Sequence, residues 1–130
     1  MAKIFFIDTT CRDGVQTPRI CLSKLQKTLI NIMLDDMGVF ESEFGFPTAS
    51  HETAYLNANI ILAKQKHIRR IRLAGWARAL PEDVRLALEN VPELRYLNLD
   101  SNEITDISPL RNLVKLTYLN IMYNFKISDI

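Results

Sequence analysis

Residues 94–102 read Leu-Arg-Tyr-Leu-Asn-Leu-Asp-Ser-Asn, and residues 116–124 read Leu-Thr-Tyr-Leu-Asn-Ile-Met-Tyr-Asn. Leu94, Leu97, Leu99 and Asn102 return as Leu116, Leu119, Ile121 and Asn124, each 22 residues later. A fixed period of this length marks stacked units, each a short strand followed by a return segment. Side chains alternate across a strand. Leu97 and Leu99 therefore face a core, while Tyr96, Asn98, Tyr118 and Asn120 face the opposite, concave side. The asparagine amide is suited to bond backbone groups that the bend leaves open. Ile104, Ile107, Leu110 and Leu113 fill the return side. After Asn124 the match slips: Ile127 and Ile130 correspond to Ile104 and Ile107 only with one residue inserted around Phe125-Lys126.

Upstream of the repeat, strand and helix patterns alternate. Lys3–Asp8 is a compact apolar run that reads as a buried strand. A loop over Thr9–Leu22 follows, and Ser23 is placed to cap a helix. Leu25, Leu29, Ile32, Met33 and Met37 recur at helical spacing, and Gly38 is the stop. Val39–Gly45 is a second strand, with Glu41 and Glu43 concave and Phe40 and Phe44 packed against helices. Ser50 caps a second helix whose apolar stripe is Tyr55, Leu56, Ile60 and Ala63. Arg70–Ala77 is a third strand. Pro81 suits the first turn of a third helix, running to Asn90, and Glu82 and Asp83 favour its positive end. This alternation predicts βαβ units and a parallel sheet.

The chain has 130 residues, with 16 Lys and Arg against 15 Asp and Glu. So even a balance argues against nucleic acid or an anionic membrane surface as the partner. Hydrophobic residues make up 48% and charged residues 24%, the mix of a folded domain. The apolar runs fall far short of the roughly 20 residues a membrane helix needs. With no charged start followed by a long apolar stretch, a secretory leader is not expected and the reading is cytoplasmic. Cys11 and Cys21 lie ten apart, outside any C-x-x-C pattern, and are expected as free thiols.

Three motifs carry a resemblance. The runs D-T-T-C-R-D-G-V-Q-T-P at 8–18, E-F-G-F-P-T-A-S at 43–50 and G-W-A-R-A-L-P-E-D-V at 75–84 resemble the N-terminal part of the isopropylmalate, homocitrate and citramalate synthases. These are metal-dependent (β/α)8 barrels, and the resemblance covers residues 3–99. Cys11 stands where the family usually has Leu, and Val15 where it often has Glu. The run N-E-I-T-D-I-S-P-L-R-N-L within residues 94–130 resembles internalin-type leucine-rich repeats. The two resemblances overlap at Leu94–Leu99, which serves equally as a barrel strand and a repeat strand. The fold expected is α/β with a singly wound parallel sheet: about three βα units of a partial barrel (1–93) continued by two leucine-rich repeats (94–130). A whole barrel takes about 250 residues and repeat arrays about three units, so the two parts are expected to share one core as a single domain.

The splice at a shared strand reads as an engineered chimeric scaffold with no natural activity and no working enzyme. By the synthase resemblance, Asp13 would be a ligand of a divalent metal, Arg12 would stabilise an enolate or carbonyl oxygen, Gln16 would lie nearby, and Glu43 would sit near an α-keto acid awaiting attack by an acetyl-thioester carbanion. These four residues are read as vestigial, because a tight catalytic metal site takes about three protein ligands. The family's H-x-H pair is missing. His51 and His67 are read as surface residues at the two ends of the second helix. No cofactor is expected. One alternative is weak divalent-metal or keto-acid binding at Asp13 and Glu43. Another is a short repeat module that binds protein through Tyr96, Tyr118 and Tyr123. Trp76, at the end of the third strand beside Arg78, is read as half-buried structure. Two open sheet edges, Lys3–Asp8 and Leu116–Met122, together with an uncapped last repeat, make self-association as a homodimer the expected partnership.

Overall fold

Helix starts and stops follow from short local signals. In the computed structural model, which describes residues 3–102, 104–105, 110 and 114–126, the Ser23 hydroxyl accepts from the Gln26 amide at 3.2 Å while the Gln26 side chain accepts from the Ser23 amide at 2.8 Å. This reciprocal cap satisfies two otherwise unpaired donors and opens helix α1, Lys24–Met37. Gly38 closes it in the left-handed conformation, φ 77°, which costs little without a Cβ. Helix α3, Pro81–Asn90, begins on its proline, with Glu82 and Asp83 in the first turn. Helix α2, Thr53–Lys64, departs from expectation: Ser50 lies in a 3-10 turn, Ser50–Glu52, and provides no cap. The Glu52 carboxylate, next to the helix start, is turned instead towards Lys27 and the Phe46 amide.

The strands are β1 (Ile7–Asp8), β2 (Glu41–Gly45), β3 (Arg72–Trp76), β4 (Tyr96–Asn98) and β5 (Tyr118–Asn120). They lie in the order β1-β2-β3-β4-β5, and every neighbouring pair is parallel. The sheet is thus singly wound α/β, as the alternating pattern predicts. Glu41 pairs with Arg72, Glu43 with Ala74, Ala74 with Tyr96 and Tyr96 with Tyr118. These residues share the concave face. On the other face one apolar cluster joins Phe44, Leu56 and Leu73 to Leu94, Leu97, Leu99 and Ile104. Leu97 and Leu99 are fully buried.

Three expectations need correction. The apolar run Lys3–Asp8 was expected as a buried strand, yet only Ile7–Asp8 is strand, and Ile4 and Phe6 are 78% and 71% exposed. β1 is an outer strand with one neighbour among the described residues, and Ile7 on it is exposed while Asp8 is half-buried. On α1 most of the expected apolar stripe faces outward. Leu25, Leu29, Met33 and Met37 are exposed, while Lys27, Asn31 and Asp35 are buried and only Ile32 of the stripe packs against the core, beside Leu34. The buried face combines this apolar contact with specific polar partners. Phe40, expected against the helices, instead packs against the Phe5 ring at 4.4 Å and beneath the Arg72 guanidinium at 4.2 Å.

From β3 onward the backbone steps regularly. β4 and β5 pair with Tyr96 on Tyr118, Leu97 on Leu119 and Asn98 on Asn120, the 22-residue offset read in the sequence. The Asn102 amide donates to the carbonyls of Leu99 (3.0 Å), Asp100 (3.1 Å) and Ala77 (3.5 Å). Asn124 repeats the set on Ile121 (2.7 Å), Met122 (3.1 Å) and Leu99 (3.0 Å). Each asparagine ties its own turn to the preceding one. The readings on Ile107, Leu113, Ile127 and Ile130 lie outside the described residues.

Leu97→Ala removes a fully buried side chain of the apolar cluster that joins Phe44 to Ile104. It should destabilise the fold by about 2–5 kcal/mol, the usual range for a core leucine. A lowered urea midpoint on a single cooperative transition checks this. An unchanged midpoint would show that Leu97 is not part of a common core.

Candidate functional site

The loop after β1 is wound around one carbonyl. Thr9 O accepts from the amides of Arg12 (3.1 Å), Asp13 (2.8 Å) and Gly14 (3.1 Å). The Asp8 carboxylate fixes the loop entrance by accepting from the Thr10 amide and hydroxyl at 3.0 and 2.9 Å. This winding aims Arg12 across the concave face at the C-terminal ends of the strands. Its Nε donates to Glu43 Oε2 at 2.7 Å, and a terminal nitrogen donates to the same oxygen. The other Glu43 oxygen accepts from the Asn98 amide. The guanidinium lies 5.2 Å from the Trp76 ring centroid, a cation–π distance. The Phe46 ring meets Trp76 edge-on at 5.9 Å. Glu43 of β2 and Trp76 of β3 thus hold the β1-loop arginine, and Asn98 of β4 holds Glu43.

Of the four residues singled out in the sequence, Arg12 and Glu43 are brought together. Asp13 is exposed and touches Arg12 through one bond of 3.2 Å. Gln16 is exposed in the Gly14–Gln16 turn. Asn98 is the member that the sequence reading missed as a site residue. Strand alternation had already put it on the concave side with Glu43, and that was the available signal. Trp76 is half-buried as expected, but it also forms the floor under Arg12.

Glu41, two residues from Glu43 on the same face, is buried. Burial pushes its carboxyl up, Arg72 pulls it down and Glu43 adds to the rise, leaving it above the usual carboxylate range. Beneath the site, Lys27 and Glu52 form a buried ion pair, and Glu52 also accepts from the Phe46 amide at 2.8 Å. The Tyr55 hydroxyl donates to Phe44 O at 2.7 Å. These bonds fix the end of β2 from which Glu43 projects. Cys11 and Cys21 are free, and burial pushes the Cys11 thiol up.

A divalent metal at Asp13, as the synthase resemblance implies, finds a poor donor set here. Both Glu43 oxygens are engaged by Arg12 and Asn98, and Asp13 stands alone. Among the described residues no three His, Cys, Asp or Glu side chains converge on a metal-sized site. No helix among them is long and apolar enough to cross a membrane.

Comparison with known proteins agrees with this topology. The profile described as HMGL-like matches residues 3–128. Citrate (Re)-synthase of Dehalococcoides mccartyi (strain CBDB1) is 61% identical over 99 residues, covering 76% of this chain and 24% of that protein. The 2-isopropylmalate synthase of Methanocaldococcus jannaschii is 35% identical over 94 residues, with 67% and 16% covered. Homocitrate synthase AksA of the same organism is 36% identical over 89 residues, with 68% and 21% covered. The chain therefore spans about a quarter or less of the length of these relatives. The matches correct the reading of an engineered scaffold: identity of 61% to a synthase over 99 residues marks a natural synthase-family sequence. The misreading arose because the strand at Leu94–Leu99 suits two architectures equally.

Glu43→Gln should weaken the grip on Arg12 and let its guanidinium leave the ring of Trp76, the single tryptophan. A shift in tryptophan emission, matched by Arg12→Ala and absent in Asp13→Asn, is the expected result.

Proposed function

The chain belongs to the HMGL-like family, and on that premise we propose that it forms the part of a synthase barrel that presents Arg12 to an α-keto acid. Arg12 held by Glu43 and Trp76, with Glu43 in turn fixed by Asn98, is the observation that carries this reading. A guanidinium has five N–H donors. Nε and one hydrogen of a terminal nitrogen go to Glu43, and one hydrogen of the other goes to Asp13. One hydrogen on each terminal nitrogen stays available for a carboxylate or carbonyl oxygen. The Glu43 carboxylate and the Trp76 ring hold the plane fixed, so the donors are oriented before the ligand arrives. An arginine in such a setting recognises a planar two-oxygen group better than a lysine does. In the whole protein that bound keto acid would be the acceptor for an acyl-thioester carbanion. This chain alone would bind without turning over, because it covers about a quarter or less of the length of the synthases it matches. The free thiols fit a reducing, cytoplasmic setting.

Pyruvate is the simple probe. It should quench Trp76 emission saturably, and Arg12→Ala should remove the effect, while Arg12→Lys should weaken it about tenfold, near 1.4 kcal/mol. No condensation product should form with an acetyl thioester. Quenching that persists in Arg12→Ala would overturn the assignment.

For the described residues of the 94–126 stretch we propose two coils of leucine-rich-repeat type. The matching asparagine bonds of Asn102 and Asn124 support this. We also propose self-association as a homodimer, supported by the exposed apolar side chains of Ile4, Phe5, Phe6 and Ile7 and by β5 as the other outer strand. Sedimentation across a concentration series should give a mass rising from 15.0 kDa towards twice that value. A constant 15.0 kDa would reject the dimer.

A further inference from the structure

At the opposite end of the sheet from Arg12, a cavity of about 430 Å³ opens between the end of α2 and the starts of β3 and β4. Roughly 300–1,000 Å³ is the range in which small molecules are held. Its floor is apolar: Ile60 on α2, Ile68 in the following loop, and Leu73 on β3. Its rim is cationic: Lys66, Arg69 and Arg95 all line it. None of the three has a carboxylate within salt-bridge distance among the described residues. Glu93 also lines the cavity, but it is already bonded to Lys64, at 2.9 Å, and to Lys115. Arg69 and the Asp35 carboxylate attract each other, but that carboxylate already accepts from three backbone amides. Three cations outside any ion pair around an apolar floor repel one another.

We propose that this cavity binds an amphiphilic anion, a molecule with one carboxylate-like head and an unbranched apolar tail. The head neutralises the rim and the tail covers Ile60, Ile68 and Leu73. A bare anion would leave the floor wet, and a neutral or cationic amphiphile would leave the rim unpaired. The site is independent of the Arg12 cluster, because its residues belong to the N-terminal ends of β3 and β4 whereas Trp76 and Asn98 end those strands.

Calorimetric titration of the whole chain with sodium octanoate, sodium acetate and octylammonium chloride tests it. Octanoate should saturate one site, and the other two should bind at least about tenfold more weakly. Arg69→Gln combined with Arg95→Gln changes only exposed side chains and should weaken octanoate about tenfold. Ala63→Phe, which fills the cavity wall, should do the same with the far-ultraviolet spectrum unchanged. The proposal is overturned if octanoate shows no saturable binding, if octylammonium binds as tightly, or if the double variant binds octanoate unchanged. Sedimentation with phosphatidylglycerol vesicles in the absence of octanoate binding overturns it in favour of a membrane surface.

Discussion

Asp35 holds the architecture together. Its buried carboxylate on α1 accepts from the amides of Arg69, Arg70 and Ile71 at 3.0, 2.6 and 2.8 Å. Burial opposes the charge, but the three backbone donors outweigh it and keep the group below the usual carboxylate range. One side chain thereby sets where β3 starts, and with it the register of everything downstream. Asn31, one turn earlier on the same face, accepts from the Ser42 hydroxyl at 2.9 Å and donates to Tyr55 and Asn59 at 2.9 and 3.0 Å. Lys27, a further turn back, pairs with Glu52. Three positions at helical spacing thus bind α1 to β2, α2 and β3. A half-satisfied network of this kind would be worse than an apolar face. Here each member has its partner, so the polar face is the one that packs.

That arrangement explains which features were legible in the sequence. Gly38, Pro81 and Ser23 act locally, and the helix ends they predict are found. The parallel order follows from alternation, and the 22-residue step between β4 and β5 from the repeat itself. The inward face of α1 was not legible. Leu25, Leu29, Met33 and Met37 form the stronger apolar stripe, and periodicity cannot say that Asp35 will meet three amides from a loop 34–36 residues away. Lys3–Asp8 misled for a related reason: its composition is that of a central strand, but its place is at the edge.

The site divides in the same way. Arg12 and Glu43 stood out because three motifs in order carried them. Asn98 did not, because its role depends on Glu43 lying two strands away across β3. Nothing local to Tyr96–Asn98 distinguishes an asparagine that orients an arginine from Asn120, which repeats it on β5 and accepts from the Met122 amide at 3.0 Å. The same ambiguity made Leu94–Leu99 look like a join between two proteins, when one family profile runs through it.

Ala77, Leu99 and Ile121 stand in equivalent places along the sheet, and the first two each receive a bond from an asparagine 25 residues further on. The third, Ile121 O, is bonded within its own turn by Asn124. A backbone built on such a step is modular. An added or deleted unit of 22 residues leaves each neighbour facing the same carbonyl, whereas any other length puts an asparagine opposite the wrong strand position. Loops between these positions can vary in sequence, but a length change keeps the asparagine bonds in step only in multiples of 22 residues.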